Sequence, residues 1–144
     1  MTTPSQTVGP FYSIGLVNDG QSVLDPDGVV LEGQLFDGQG EPIWDGLIEL
    51  WDAAGGRWGR SGTGPEGNFS FRVPADVPCF EVYVFARGLL RHQWTRVYLD
   101  DADDDVLERL EPRERATLIA QRESTGFRFD IRLQGDDATV FFAH

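Results

Sequence analysis

The side chains able to do chemistry are few and scattered. The chain has one cysteine, Cys79, two histidines, His92 and His144, and three tyrosines, Tyr12, Tyr83 and Tyr98. Cys79 and Glu81 stand at i and i+2, so on a strand they share a face and could offer a thiolate and a carboxylate to one metal. Two donors without a third make a poor site. The plainer reading is a core thiol beside a solvated or paired carboxylate. Asp100, Asp101, Asp103, Asp104 and Asp105 suggest Ca²⁺. The run lacks the glycine and closing glutamate of an EF-hand loop and reads as a solvated acidic loop. His92, in Arg91-His92-Gln93-Trp94, reads as a structural or interface histidine beside a strand. Gly62-x-Gly64-x-x-Gly67 spells a nucleotide-binding glycine loop but opens a strand instead of a helix. No Ser-His-Asp set or phosphate loop is present.

The N-terminal run Thr3-Pro4-Ser5-Gln6-Thr7-Val8-Gly9-Pro10-Phe11-Tyr12 has neither helical nor strand periodicity. Pro4 and Pro10 push Thr3 and Gly9 toward extended geometry. Gly9 has no Cβ, so another group can approach its backbone closely. Frayed ends seldom finish in Phe-Tyr, which want burial, so residues 1–12 read as a docked arm.

The elements behind these residues are short strands. Val29–Asp37, Leu47–Trp51, Asn68–Val73, Glu81–Phe85, Thr95–Leu99, Phe127–Leu133 and Thr139–Phe142 are apolar or alternating runs between glycine-rich turns. Phe69, Phe71 and Val73 share one face, as do Phe127, Phe129, Ile131 and Leu133. One short helix starts at Pro112, with Glu111 near its cap and Glu114 in its first turn, and buries Leu118 and Ile119 beyond. Seven or so strands and one short helix predict an all-β antiparallel β-sandwich.

At 144 residues, 40% of them hydrophobic, the chain reads as one globular domain, 1–144. A lone cysteine suits a reducing compartment. No leader or membrane span is legible, so a cytoplasmic protein with no membrane contact is expected. The net charge of −12 argues against nucleic acid as a partner. It also repels any anionic ligand, which would need a local cation or one from a partner.

Seven segments carry a family resemblance in order: the arm, Gly33-Gln34-Leu35-Phe36-Asp37-Gly38, Ile48-Glu49-Leu50-Trp51, Phe85-Ala86-Arg87-Gly88, Thr95-Arg96-Val97-Tyr98-Leu99-Asp100-Asp101, Glu114-x-x-Thr117-Leu118-Ile119-Ala120 and Phe127–Gly135. Together they resemble the alpha chains of protocatechuate 3,4-dioxygenases, in the intradiol ring-cleavage dioxygenase family. The resemblance implies a prealbumin-like sandwich with an extended N-terminal arm. Catalytic chains of that family hold Fe(III) with two tyrosinates and two histidines, one pair spaced His-x-His. Here Cys79 and Glu81 stand at the histidine pair and Trp58 at the first tyrosine. The segment for the second tyrosine is collapsed to Pro74-Ala75-Asp76-Val77-Pro78.

The resemblance therefore implies a chain with no catalytic residue and no metal of its own. Its partner would be a homologous Fe(III)-bearing beta subunit in an (αβ)n oligomer, with an aromatic acid bound at the interface. Thr7, Gly9 and Pro10 are the implied wall of the substrate pocket. Arg87 is the implied cation at its mouth, or else a salt-bridge residue of the interface. Trp51, Trp58, Phe11 and Tyr12 are candidates for an exposed apolar patch facing the partner. A binding or assembly module on the same fold is the alternative. The chain reads as shorter than its relatives, with loops pruned before Val29, around Arg60-Ser61 and before Cys79.

Overall fold

Alternation decides most of the strands. In Asn68–Val73, Phe69, Phe71 and Val73 are buried while Asn68, Ser70 and Arg72 are exposed. The computed structural model describes residues 2–9 and 11–143. In chain order the elements are α1 (Tyr12–Leu16), β1 (Val29–Phe36), β2 (Leu47–Asp52), β3 (Arg57–Gly62), β4 (Asn68–Val73), β5 (Cys79–Phe85), β6 (Gln93–Tyr98), α2 (Asp105–Glu108), α3 (Pro112–Ala116), β7 (Gln121–Glu123), β8 (Gly126–Arg128) and β9 (Ile131–Arg132). One sheet runs β4-β1-β8-β7, with β9 also on β1; the other runs β3-β2-β5-β6. Leu31, Leu35, Phe71, Phe127 and Ile131 from the first sheet meet Ile48, Leu50, Phe80, Val82 and Val97 from the second. The chain is thus the expected all-β sandwich. No helix among the described residues is long and apolar enough to cross a membrane.

Several expectations need correction. The first sheet is mixed, because β1 pairs in parallel with both β8 and β9. The chain reaches the β1 edge by a crossover through α2 and α3, which lets a returning strand run parallel. Phe127–Leu133 is two short strands, with one register throughout: Glu32 faces Arg128 and Leu35 faces Ile131. The ladder breaks because the Asp130 carboxylate accepts the Gln34 N–H at 3.0 Å in place of a backbone carbonyl. Thr139–Phe142 forms only a bridge to β6, closed by the Phe142 N–H donating to Trp94 O at 2.8 Å. The segment at Leu118–Ala120 covers the same β6 edge through two backbone bonds to Tyr98. The helix at Pro112 forms as expected, with a capping box between Glu111 and Glu114. Leu118 beyond it is buried and Ile119 half-buried. Two further helices, α1 and α2, accompany it.

Gly33 and Asp52 anchor one sheet each. A Cβ on Gly33 would overlap the Phe129 carbonyl across the parallel seam. Asp52 closes the β2–β3 turn: Oδ1 accepts the Gly55 N–H at 2.8 Å and Oδ2 accepts Arg57 Nε at 2.8 Å. Burial pushes the Asp52 carboxyl up, but the Gly55 amide and the Arg57 guanidinium outweigh it and hold its pKa below the ordinary value.

Gly33→Ala is expected to cost about 1–3 kcal/mol of stability, as overpacking of a closed seam does, read as a lower urea midpoint at unchanged m. A second test concerns pH. A carboxylate with a lowered folded pKa contributes its full stability above its unfolded pKa of about 3.9, and that share is lost as pH falls toward the folded value. Asp52→Asn should therefore be less stable than the parent at pH 7, with the gap closing below about pH 4. A gap independent of pH would show that the charge is not what stabilises the turn.

Candidate functional site

The arm and the turn after β5 form one unit. Residues 2–9 are neither helix nor strand, and Thr7 is exposed. The Gly88 N–H donates to Thr7 Oγ1 at 3.0 Å, tying the arm to a residue 81 positions away. Gly88 has φ +84°, a conformation glycine adopts freely, which turns the chain sharply just after Arg87. Tyr12 is the second anchor. Its hydroxyl lies 2.8 Å from both Asp45 O and Phe85 O, and its single proton serves one carbonyl at a time. Burial, then the Asp45 charge, raise the phenol pKa against the opposing Arg87, so Tyr12 stays a protonated donor. A cavity of about 330 Å³ opens between arm and turn, lined by Gln6, Val8, Phe85, Leu89, Leu90 and His92.

Arg87 turns toward Asp45. Its Nε forms an ion pair with Asp45 Oδ2, the arginine side chain 48% exposed and the aspartate 6%. No hydrogen bond reaches Asp45 Oδ2 among the described residues, so the contact is one of charge. The guanidinium lies over the Trp44 ring, 5.4 Å from its centroid.

Of the four residues expected to face a substrate, Thr7 and Arg87 thus come together. Gly9 is exposed, and a Cβ there would meet nothing within 4 Å in this chain. Pro10 lies outside the described residues. Asp45 escapes sequence reading because an acid before a glycine spells an ordinary turn. Phe11 is 73% exposed, Trp51 39% and Trp58 37%, so of the four candidates for a partner-facing patch these three lie on the surface. Tyr12 is the exception: it is half-buried, because it fastens α1 to the body.

The positions that the resemblance matches to iron ligands lie on the outer face of the second sheet. Phe80, Val82 and Val84 point into the core, so Cys79 and Glu81 point out. Trp58 faces Trp51 across β2 and β3, with ring centroids 5.9 Å apart. Glu81 Oε1 accepts Arg96 Nε at 2.9 Å, and Oε2 accepts the Trp94 indole N–H. Burial pushes the Cys79 thiol up to about 11, Glu81 and Asp104 adding to it against Tyr98 and Arg96. Tyr98 donates its hydroxyl to Asp104 Oδ1 at 3.0 Å, and burial raises its pKa too. Asp104 also caps α2 by accepting the Val106 N–H at 2.8 Å. A protonated thiol, an arginine-bound carboxylate and an indole are no donor set for a ferric ion. Two more acids of the run form surface pairs, Asp100 with Arg122 and Asp101 with Arg115.

No family model matches the chain. It is 37% identical to the protocatechuate 3,4-dioxygenase alpha chain of Burkholderia cepacia, over 97% of this chain and 96% of that one. It is 34% identical to the protein of the same name from Pseudomonas putida, over 97% and 95%. The first alignment spans 189 positions, at least 45 more than the 144 residues here, so the relative carries insertions that this chain lacks. Among solved structures, the chain superposes on the dioxygenase domain of a dioxygenase–carbohydrate-binding fusion from Streptomyces sp. SirexAA-E. That match has TM-score 0.58 and 21% identity, covering 92% of this chain and 97% of that one. Catechol 1,2-dioxygenase from Pseudomonas arvilla C-1 matches with TM-score 0.54 and 24% identity, over 84% and 59%. At these identities the two structures establish the fold.

The outer-face chemistry gives a direct test. With a pKa near 11, Cys79 is about 0.1% thiolate at pH 8. A thiol-specific disulfide reagent should react with the folded chain at least tenfold more slowly than with the urea-unfolded chain. Equal rates would mean that the thiol is neither buried nor raised.

Proposed function

Because the chain belongs to the family of protocatechuate 3,4-dioxygenase alpha chains, we propose that it is the subunit that completes a pocket whose iron is held elsewhere. In this reading it carries no iron and assembles with a homologous Fe(III)-bearing beta subunit, as (αβ)n in the cytoplasm. The assembled enzyme cleaves protocatechuate with O2 to 3-carboxy-cis,cis-muconate. The single observation that carries the reading is the chemistry at the former ligand positions: Arg96 already compensates Glu81, and Cys79 keeps its proton. A ferric ion there would have to displace an arginine and ionise a buried thiol, so no catalytic step is assigned to that face.

What this chain contributes is a wall and a guanidinium. Thr7, Gly9 and Pro10 form the wall, with Thr7 fixed by the Gly88 N–H. Arg87 meets the substrate carboxylate, as a guanidinium fork does. Exposed Phe11, Ile14 and Trp44 support burial of this end of the molecule against a partner.

Expression with and without the beta chain tests the reading. The chain alone should be colourless and hold no stoichiometric iron. Copurified with the beta chain, it should give one iron per αβ pair and ring cleavage of protocatechuate. A visible charge-transfer band from the isolated chain, or iron in excess of the beta chain, would refute it. So would failure of the two chains to copurify.

A further inference from the structure

Asp45 is a buried carboxylate that meets one cation, Arg87, among the described residues. It is 6% exposed, and its Oδ2 takes no hydrogen bond among the described residues. A buried charge persists only when something compensates it, and here that is the half-exposed Arg87. The aspartate is held in a stiff frame. The Gly46 N–H donates to Thr63 Oγ1 at 2.8 Å, and the Tyr12 hydroxyl reaches Asp45 O. The same hydroxyl reaches Phe85 O, two residues before Arg87, while Thr7 holds Gly88 just after it. Both partners of the ion pair are therefore pinned through the backbone by the arm.

The guanidinium is fixed in two ways. The Trp44 ring centroid lies 5.4 Å from its Cζ, and Asp45 contacts it at Nε. A guanidinium has a side edge, which includes Nε, and an end-on edge made by the two Nη groups. A contact through Nε uses the side edge. The end-on edge is the one that a second carboxylate can take in fork geometry.

We propose that Asp45, with Trp44, is a positioning residue that sets the plane of Arg87 so that its end-on edge meets the carboxylate of an aromatic acid. This rests on the reading of Arg87 as a pocket residue. Asp45 does not touch the substrate; it acts through Arg87.

The test uses the αβ complex, with the ratio of KM for protocatechuate to KM for catechol as readout, since catechol lacks the carboxylate. Arg87→Ala, Asp45→Asn and Trp44→Leu are made singly, and Asp45→Asn is also combined with Arg87→Ala. Asp45→Asn keeps the shape and removes the charge. Trp44 is 56% exposed, so its variant does not open the core. Each single change should raise the ratio at least fivefold. The double variant should be no worse than Arg87→Ala alone, because Asp45 has nothing to position once the guanidinium is gone. If Arg87→Ala changes the ratio and neither Asp45→Asn nor Trp44→Leu does, the positioning role is wrong and the pocket reading stands. If Arg87→Ala leaves the ratio unchanged, the pocket reading fails and this proposal falls with it. A double variant clearly worse than Arg87→Ala would make Asp45 an independent, structural contributor. Should Asp45→Asn fail to assemble, Trp44→Leu alone decides between the outcomes.

Discussion

The first sheet depends on two backbones meeting with no side chain between them. β1 is its central strand, with β4 on one side and β8 and β9 on the other. At Gly33 the Phe129 carbonyl occupies the space that any Cβ would need. The Phe129 N–H donates to Glu32 O at 2.8 Å, and one residue later Asp130 substitutes its carboxylate for the missing ladder partner. This local exchange carries the register across the break without a slip. Had it slipped by one residue, Phe127 and Ile131 would face solvent and the core would lose one wall. The seam also fixes the C-terminal segment, since Leu133 bonds to Phe36 O and Thr139 to Arg132 before the chain reaches β6.

A strand has two faces, and the second sheet uses both. Its inner face is mostly apolar, with Asp52 and Thr95 as its buried polar members. Its outer face places charge pairs among aromatics: Glu49 with Arg60 across β2 and β3, Glu81 with Arg96 across β5 and β6. Arg60 also lies 5.0 Å from the Trp58 ring and Arg96 5.9 Å from the Phe142 ring. Each guanidinium thus satisfies a carboxylate and covers an aromatic surface at once. The result is a face that is internally neutralised. At least 45 positions of the Burkholderia relative have no counterpart in this chain. Trp51 and Trp58 on this face stay 39% and 37% exposed.

Much of this fold was legible, and the gaps have physical causes. Asn68–Val73 and the β1 run are readable because one face is core and the other water, which writes itself as alternation. β3 was not readable. Arg57–Gly62 spells Arg-Trp-Gly-Arg-Ser-Gly, and it is a strand because β2 holds it in register and Leu24 packs where a side chain on Gly59 would stand. β7 is entirely exposed and carries no apolar signal at all. The parallel pairing of β1 is a property of chain path, which local pattern does not encode. At the site, the arm and Arg87 could be named, but not their connection. Thr7 and Gly88 are joined by a hydrogen bond between distant segments, and Asp45 matters only because folding brings Arg87 to it. Tyr12 was misjudged for the same reason: its aromatic ring suggested a partner, while its hydroxyl already had two carbonyls within reach.

The charge balance sharpens what Arg87 can do. All twelve basic residues are arginines, set against 24 carboxylates. Among the described residues, eight of them pair with acids of their own chain. An aromatic carboxylate approaching from solvent therefore meets a repulsive field, screened only beyond about 8 Å at physiological salt. Arg87 offers it no bare charge, because Asp45 already offsets most of that. What remains attractive is short-range and directional: N–H groups held in one plane, close enough to bond only an anion that arrives in the right orientation. A pair arranged this way adds little to indiscriminate anion binding, and it can select among aromatic acids by where their carboxylate sits. On the proposed function, long-range attraction falls to cations outside such pairs, among them Arg91 in the wall of the arm cavity, while Arg87 fixes orientation. An acidic chain can support that division without giving up its own charge pairs.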